Sequence, residues 1–322
     1  MVAFVISRLL QALPVLLVVA LISFALFTFV GDPVAAMLSQ DASLADRENL
    51  IRLLGLDQPW YVQFWKFVGN AVQGEFGLSY RLSRPVSALI AERAPATLEL
   101  AFCAAAMTLC IGVPLGIFTG IYKDSWVSRL LLTVSLVGVS LPIFVLGMLL
   151  ILVFAVHLGW LPSFGRGETV QLGWWSSGLL TVSGLKALIL PAITLAVFQL
   201  TLITRLVRAE MLEVLRTDYI KFARARGLSN RSINFGHALK NTLVPVITLA
   251  GLQLGGIIAF AIVTETVFQW PGMGFLFIQS VGAADIPVMA AYLLLISLVF
   301  VVINLGVDLL YYLVDPRLRA QR

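Results

Sequence analysis

Residues able to carry catalysis are scarce in this chain of 322 residues. It has two histidines, His157 and His237, and neither lies in the H-E-x-x-H pattern that binds zinc. No Gly-Lys dipeptide occurs, so the phosphate-binding loop G-x-x-x-x-G-K-[ST] is absent. Gly77-Leu78-Ser79 and Gly227-Leu228-Ser229 are similar to fragments of a serine-nucleophile turn, but no histidine lies within an apolar run to act as a base. The sequence therefore predicts no catalytic residue and no metal site, and it excludes ATP hydrolysis by the phosphate-loop route.

Acidic and amide side chains within long apolar runs are the next candidates for chemistry. Glu99 opens one such run, Glu265 closes another, and Asp308 lies towards the end of the last. Ionisable groups inside a membrane mark transport pathways by default. Ion-coupled carriers, however, hold carboxylates or broken helices near the midplane, and these three lie towards the ends of their runs. Gln199 and Gln253 lie mid-run, where each either lines a pathway or hydrogen-bonds a neighbouring helix.

A basic segment, residues 218–241, separates two of these runs and has the sequence DYIKFARARGLSNRSINFGHALKN. Thr217 or Asp218 can cap a first helix, and Gly227 then supplies a left-handed stop. Ser229 can cap a second helix. The predicted shape is two short helices joined at a glycine.

One face of the first predicted helix is aromatic and small rather than aliphatic. Tyr219, Phe222, Ala223 and Arg226 recur at the spacing i, i+3, i+4 and i+7. Two functions fit a basic helix of this kind, namely adsorption to anionic lipid and docking onto another protein. The shortage of large aliphatic side chains favours docking. The other basic residues of the first helix and the turn lie elsewhere on its surface: Lys221, Arg224 and Arg231.

The long apolar runs define the fold class. The composition is 60% hydrophobic and 12% charged, with a mean hydropathy of +0.96, and a soluble domain cannot bury that much apolar surface. A further uncharged stretch, residues 169–185, contains tryptophans and serines and is predicted to be an interfacial loop. The sequence predicts an all-α polytopic membrane protein with six transmembrane helices. The six runs long enough to cross a hydrocarbon core of ~30 Å are residues 9–30, 100–122, 130–156, 187–204, 241–264 and 286–307.

Basic residues between the runs set the predicted orientation. If the N-terminus is cytosolic, the inside segments hold most of them, whereas the two short outside loops hold only Arg166 and Lys186. Both the N- and C-termini are therefore predicted to be cytosolic. The net charge of +5 follows from this bias and does not indicate a nucleic-acid partner. Residues 1–96 are predicted to form the first transmembrane helix and a large external loop, and residues 97–322 a five-helix core that contains a cytosolic loop at 205–240.

The external loop and the spans carry further structural signals. Leu44–Leu54 is predicted to be a helix capped by Ser43 and stopped by Gly55, and the aromatic run after Pro59 is predicted to lie on the membrane surface. Pro142 predicts a kink in the third span. Glycines at every fourth position predict close helix packing. They are Gly112, Gly116 and Gly120 in the second span, and Gly251 and Gly255 in the fifth.

The basic segment resembles the cytosolic signature loop of ABC-importer permeases, in the form found in the dipeptide/oligopeptide/nickel family. The general loop begins Glu-Ala-Ala, whereas the matching triplet here is Lys221-Phe222-Ala223, so only Ala223 and Gly227 are retained. The resemblance extends over almost the whole chain and is to the first of the two permease subunits. Residues 56–78 are similar to glutathione- or dipeptide-type members. The other blocks that carry the resemblance are Gly31-Asp32-Pro33 and residues 53–59, 74–79, 96–100, 140–144, 159–162, 237–246, 264–268, 270–274, 308–311 and 315–317.

This resemblance implies a type I ABC-importer permease fold in the bacterial cytoplasmic (inner) membrane, as a multi-pass protein surrounded by lipid. It implies three kinds of protein partner: a second homologous permease subunit, two ATP-binding subunits and an extracytoplasmic solute-binding protein. ATP and Mg would bind to the partner ATPase subunits, and no cofactor or ATPase site is implied in this chain.

The resemblance also implies roles for particular residues. The segment 218–241 would sit in an ATPase groove and convert closure of the nucleotide-bound dimer into rotation of spans four and five. Residues 270–274 would form a tight turn or a short re-entrant helix that gates the pathway, and Glu265 either lines the pathway or caps that turn. The predicted ATPase-docking residues are Asp218, Tyr219, Phe222, Ala223, Arg224, Arg226, Gly227 and Ser229. The predicted pathway or gate residues are Gln253, Thr264, Glu265, Trp270, Pro271, Gly272 and Gly274.

The implied function is import of dipeptides or short oligopeptides delivered by the binding protein. Glutathione and nickel chelates are alternative substrates of the same mechanism. An ion-coupled secondary carrier or a channel is the alternative of another class, and it would need neither an ATPase nor a binding protein.

Overall fold

The computed structural model describes residues 2–29, 34 and 44–314, and these residues are almost entirely helical. The expectation of an all-α fold needs one correction, because two short antiparallel strands pair in the predicted interfacial loop. The elements in chain order are α1 (Val2–Phe29), α2 (Leu44–Leu54), α3 (Trp60–Val72), α4 (Val86–Ile121), α5 (Trp126–Ser140), α6 (Ile143–Leu150) with a π-helical extension (Ile151–His157), β1 (Val170–Leu172), β2 (Trp175–Ser177), α7 (Val182–Val214), α8 (Asp218–Ala225), a π-helical turn (Ser232–Ala238), α9 (Leu239–Val267), α10 (Met273–Gly282) and α11 (Ile286–Val314).

Several helices are long and apolar enough to cross a membrane. Four helices of the described residues meet this condition alone, and the pair α5 and α6 makes a fifth if it is counted as one bent span. Helix α9 has 29 residues, of which Gly255–Val267 form a shorter apolar stretch. The structure therefore supports a polytopic helical membrane protein. The single-helix candidates are Val5–Leu26, Val86–Ile121, Val182–Val214 and Ile286–Leu309.

The predicted third span is broken rather than only kinked. Helix α5 ends at Ser140, α6 begins at Ile143, and the two axes differ in direction by 108°. Leu141, which precedes Pro142, has an extended backbone with φ −90° and ψ 133°. A residue before proline avoids the helical conformation, and proline itself cannot donate a helical hydrogen bond, so the chain turns here.

Close packing through glycine, as predicted, joins α4 to α7. Gly112, Gly116 and Gly120 follow one face of α4 and lie against Ile203, Val207 and Met211 of α7, in the same order along both helices. A Cβ atom added to Gly116 would lie 2.5 Å from the Cβ of Val207. The two helices therefore run parallel at a separation that only glycine permits.

A second glycine contact, also predicted, joins α9 to α11. Gly251 packs against the side chain of Val307, and Gly255 packs against the ring of Phe300. A Cβ atom at either glycine would overlap its neighbour, so the two helix backbones approach closely here as well.

The predicted external region forms helices α2 and α3. Gly55 ends α2 with a left-handed φ of +68°. On α3, Phe64 and Phe67 pack on Phe24 of α1, whereas Trp60, Tyr61 and Trp65 are exposed. This is the amphipathic pattern that the sequence predicts. The predicted Gly31-Asp32-Pro33 block, the Ser43 cap and the Asp315-Pro316-Arg317 block lie outside the described residues.

Candidate functional site

The basic segment folds into the predicted two-helix unit. Helix α8 begins after Thr217, whose side chain makes no capping hydrogen bond. It ends in a Schellman motif, in which the Leu228 amide donates to the Ala223 carbonyl at 3.3 Å and the Gly227 amide donates to the Arg224 carbonyl at 2.9 Å. Gly227 has φ +78°, which confirms the predicted left-handed stop.

The second short helix follows directly. The Ser232 amide donates to the Ser229 hydroxyl at 3.3 Å, so Ser229 caps this turn as predicted. The helix is π-helical over Ser232–Ala238 and then continues into α9. The two-helix unit is thus joined without a break to one of the long helices.

One face of the unit is buried against the long helices. Ile220 and Ala223 of α8 belong to the same apolar core as Ile233 and as Val207 and Met211 of α7. Ala223 is therefore not part of an exposed docking face, although it shares a helical stripe with Phe222 and Tyr219. Its small side chain lets α8 lie close to the end of α7.

The opposite face is aromatic and basic. Tyr219 is 43% exposed and Phe222 is 64% exposed. The Arg226 guanidinium carbon lies 5.8 Å from the centre of the Phe222 ring, within range of a cation–π contact. Arg224 is exposed beside them. The Asn241 amide donates to the Tyr219 hydroxyl at 2.6 Å, and this bond ties α8 to the start of α9.

Asp218 forms an exposed local pair at the start of α8. The Lys221 ammonium donates to its carboxylate at 2.8 Å. This hydrogen bond and the charge of Lys221 hold the pKa of Asp218 below its usual value. Asp218 therefore stays ionised, and its negative charge is favourable at the N-terminus of a helix.

The second candidate site, at the C-terminal end of α9, is built around Glu265. Its carboxylate is fully buried. It accepts hydrogen bonds from the Thr97 hydroxyl of α4 at 2.6 Å and from the Phe275 amide at 2.9 Å. The Thr97 hydroxyl in turn accepts a hydrogen bond from the Met273 amide at 2.8 Å. The sequence predicts that Glu265 either lines the pathway or caps the turn that follows. The geometry supports the cap, because the Glu265 carboxylate accepts a hydrogen bond from an amide in the first turn of α10.

Trp270 and the neighbouring glycines complete this arrangement. The Trp270 ring is buried, and its indole N–H donates to the Ala96 carbonyl at 2.9 Å. A Cβ atom on Gly272 would overlap the Glu265 carboxylate, and one on Gly274 would lie 2.8 Å from the Cα of Ile262. Together with the half-buried Pro271 they form a turn that leads into α10. The sequence predicts a tight turn or a short re-entrant helix at residues 270–274, and its gating role stays a prediction.

The remaining predicted pathway residues lie apart from this cluster. Thr264 is buried, and its hydroxyl has no hydrogen-bond partner within the described chain. Gln253 is half-buried and precedes Glu265 by twelve residues on α9, which is about 18 Å along the helix axis. The structure thus brings Glu265, Trp270, Gly272 and Gly274 together and leaves Gln253 separate.

Two contacts of buried carboxylates escape prediction from the sequence. Arg166 donates to the Glu99 carboxylate at 2.6 Å in a buried ion pair, and the Trp175 indole and the Gly178 amide also donate to Glu99. This pair fastens the β1–β2 hairpin to α4. Two features of the sequence could have indicated this ion pair. Glu99 is an acid that opens an apolar run, and Arg166 is one of two basic residues in the predicted short outside loops.

The other unpredicted contact centres on Asp285, between α10 and α11. Its buried carboxylate accepts hydrogen bonds from the Ser79 hydroxyl, from the Tyr80 amide at 3.1 Å and from the Arg81 amide at 3.4 Å. It therefore fixes the segment that precedes α4. The partners are 206 positions apart in the chain, and two of the donors are backbone amides, which carry no sequence signal.

Family comparison identifies this architecture. The profile described as "Binding-protein-dependent transport system inner membrane component" matches residues 112–320, and the profile of the corresponding N-terminal region matches residues 1–101. The chain belongs to this family. The permease is therefore a multi-pass inner-membrane subunit of an ABC importer.

Individual relatives align along the full length of the permease. It is 40% identical over 322 residues to a putative peptide transport system permease protein of Brucella abortus (strain 2308), with 99% of each chain aligned. It is also 40% identical over 321 residues to the glutathione transport system permease protein GsiC of Escherichia coli (strain K12), again with 99% of each chain aligned.

Solved structures support the fold. Two inward-facing crystal forms of the MetNI methionine ABC transporter match with TM-scores of 0.54 and 0.57, at 21% and 20% identity. The alignments cover 68% and 70% of the permease, and 93% and 96% of those chains. At this identity the comparison supports the fold alone.

Proposed function

We propose that the permease translocates dipeptides or short oligopeptides that an extracytoplasmic solute-binding protein delivers. A second, homologous permease subunit would complete the central pathway, and two ATP-binding subunits would dock on the cytosolic side. ATP and Mg would bind to those subunits, because this chain has no phosphate-binding loop. Relatives that are named as peptide or glutathione transport permeases support this substrate class.

The observation that carries the proposal is the two-helix unit of residues 218–241. Its outer face presents Tyr219, Phe222 and Arg226, while its inner face is part of the core shared with α7. Exposed aromatic and arginine side chains are typical anchors of protein interfaces. The inner face of the unit packs on α7, and its second helix continues into α9. A partner that moves the unit would therefore also move these two long helices.

The proposed membrane arrangement has six spans and cytosolic termini. Helices α1, α4, α7 and α11 and the bent pair α5–α6 supply five of them, and α9 would be the sixth. The positive-inside bias supports cytosolic termini and places residues 218–241 on the ATPase side.

Substitution of the exposed aromatic face tests the docking role. Phe222→Ala should lower substrate-stimulated ATPase activity and uptake in the reconstituted importer, because it removes an exposed anchor without disturbing the core. Tyr122→Ala is the matched control, since Tyr122 is also an exposed aromatic residue at the predicted cytosolic side but lies outside the unit. Equal activity of the Phe222 variant and the control would contradict docking through this face.

Purification from native membranes tests the assembly and the substrate. The permease should co-elute with a second permease and with ATP-binding subunits. Competition with labelled dipeptide uptake then ranks the substrates, with dipeptides expected first, glutathione second and nickel chelates third. Recovery of the permease alone, or only as a homo-oligomer, would contradict the proposed assembly.

An ion-coupled carrier or channel is the second candidate, and the carboxylates argue against it. Glu99 is paired with Arg166, Asp308 is 3.0 Å from Arg8, and Glu265 caps α10. A coupling site needs a carboxylate that can exchange its ion, and these three already have structural partners. Uptake that survives ATP depletion and collapses with an ion gradient would favour the carrier.

A further inference from the structure

A partly enclosed cavity of about 240 Å³ lies between α1, α3, the segment before α4 and the first turns of α11. None of its lining residues belongs to the two-helix unit or to the Glu265 cap of α10. One part of its wall is apolar and the other part is charged or polar. The wall includes Phe24, Phe67 and Pro287 on the apolar side, and Lys66, Asn70 and Glu75 on the polar side.

In the orientation proposed above, on which this inference rests, the cavity lies at the outer boundary of the membrane. Phe24 belongs to the apolar span Val5–Leu26 of α1, close to its external end. Pro287 is in the first turn of α11. Trp60 and Trp65 of α3 are exposed nearby, and tryptophan prefers the headgroup level. The apolar wall therefore faces the edge of the hydrocarbon, and the charged rim lies among the headgroups.

Lys66 and Glu75 supply the two charges of the rim. Lys66 lies one turn before Asn70, and its ammonium is 3.3 Å from the position of a Cβ on Gly55, at the carbonyl end of α2. Glu75 is placed by its amide, which donates to the Asn70 carbonyl at 2.9 Å. Within the described part of the chain, neither Lys66 nor Glu75 forms an ion pair. One cationic and one anionic group therefore stay available at the mouth of a single cavity.

An apolar stripe leads from the cavity towards the membrane interior. Leu17, Leu21 and Phe24 follow one face of α1 at spacings of four and three residues. Phe24 lines the cavity, whereas Leu17 and Leu21 are exposed. This stripe offers a surface along which an acyl chain can lie.

We propose that the cavity binds the headgroup of an outer-leaflet phospholipid that carries both a phosphate and a protonated primary amine, as phosphatidylethanolamine does. The Lys66 ammonium would pair with the phosphate, and Glu75 would accept hydrogen bonds from the amine. The glycerol region would contact Phe24 and Phe67, and the acyl chains would follow α1. This site is independent of the transported substrate.

The charge pattern distinguishes this headgroup from other phospholipids. Phosphatidylglycerol has no cation for Glu75, so that carboxylate would lie beside the headgroup without a partner. Phosphatidylcholine has a quaternary ammonium that carries no N–H group and cannot donate to Glu75. A preference for the primary amine is therefore the specific expectation.

Lipid add-back to the delipidated importer tests the proposal. The full-length permease with its co-purifying partners is mixed with phosphatidylethanolamine, phosphatidylglycerol or phosphatidylcholine of identical acyl chains. Retention is measured by native mass spectrometry and stability by thermal unfolding. Phosphatidylethanolamine should be retained best and should raise the unfolding temperature most.

Two variants test the roles of the charged side chains. Glu75→Gln should weaken the binding of phosphatidylethanolamine about tenfold, to the level of phosphatidylcholine, because one charge-assisted contact is lost. Lys66→Gln should weaken the binding of all three lipids.

Matched variants and a competitor keep the result interpretable. Glu48→Gln and Lys186→Gln change exposed residues of the same charges outside the cavity and should leave lipid retention unchanged. Equal retention of the three lipids by the unmodified importer, or an unchanged preference in Glu75→Gln, would overturn the proposal. Displacement of the lipid by a dipeptide, which also carries an ammonium and a carboxylate, would assign the cavity to the substrate instead.

Discussion

Glu99 and Arg166 are a pair of charged side chains that are only 4% and 7% exposed. Such a pair is weak evidence for net stability, but removal of one partner leaves a buried charge without compensation. Arg166→Met should therefore lower the free energy of unfolding by ~3–5 kcal/mol, measured by thermal unfolding in detergent. The double variant with Glu99→Gln should recover part of the loss, because no buried charge remains. A double variant less stable than Arg166→Met alone would contradict this account.

Gly227 allows a second prediction for a single residue. Its φ of +78° suits glycine, is tolerated by asparagine and is strongly disfavoured for β-branched residues. Among the described residues, no atom beyond the two chain neighbours lies within 4 Å of an added Cβ, so the obstacle that the structure shows is backbone conformation. Gly227→Val should cost ~1–2 kcal/mol locally and lower ATPase-coupled uptake. Gly227→Asn is the control and should retain most of the uptake; equal uptake by the two variants would count against the turn as the cause.

At the scale of helices, the contact between α4 and α7 predicts a sharp difference between two glycines. Gly116→Ala places a Cβ against Val207, whereas no atom lies within 4 Å of a Cβ on Gly306 of α11. Gly116→Ala should therefore destabilise the permease by ~1–3 kcal/mol through overpacking, measured by thermal unfolding. Gly306→Ala should cause no loss. Similar stabilities of the two variants would show that the helices can separate without cost.

The cap of α10 makes a further prediction at this scale. The Thr97 hydroxyl joins the Glu265 carboxylate to the Met273 amide, so it connects α4, α9 and α10. Thr97→Val preserves the shape but leaves these buried groups with one partner fewer, at ~1–3 kcal/mol for each unsatisfied group. The unfolding temperature should fall, and Thr97→Ser should restore it because the hydroxyl returns. Failure of serine to restore it would indicate that packing, not hydrogen bonding, positions α10.

At the scale of the whole molecule, Asp308 separates the importer from the ion-coupled carrier. Its ion pair with Arg8 joins α1 to α11, and both side chains are partly exposed. A pair of this kind contributes about 0–1 kcal/mol, so Asp308→Asn should change stability little. Uptake by this variant should still depend on ATP and should not respond to collapse of a proton or sodium gradient. Loss of gradient-driven uptake in Asp308→Asn would instead support the carrier.

The features predicted from the sequence are those that local composition determines. Runs of apolar residues mark the long helices, Gly227 ends α8 and the glycine spacing identifies the close helix contacts. Periodicity alone does not say which side of a short helix is buried, so it groups Ala223 with the exposed Phe222. Contacts such as Ser79 with Asp285 depend on chain segments that meet only in the fold. The turn at Pro142 is visible in the sequence, but its angle is set by the packing of α5 and α6 on their neighbours.

Helix α10 is held at both ends by buried carboxylates, Glu265 before its first turn and Asp285 just beyond its last. Hydrogen bonds lose most of their energy when the donor and acceptor separate by about 1 Å beyond contact distance. A small displacement of α10 therefore meets a steep resistance, and a larger one breaks several bonds together. We expect the external end of the importer to switch between discrete states rather than open by degrees. Such a threshold would keep the barrier to leakage intact during thermal fluctuations.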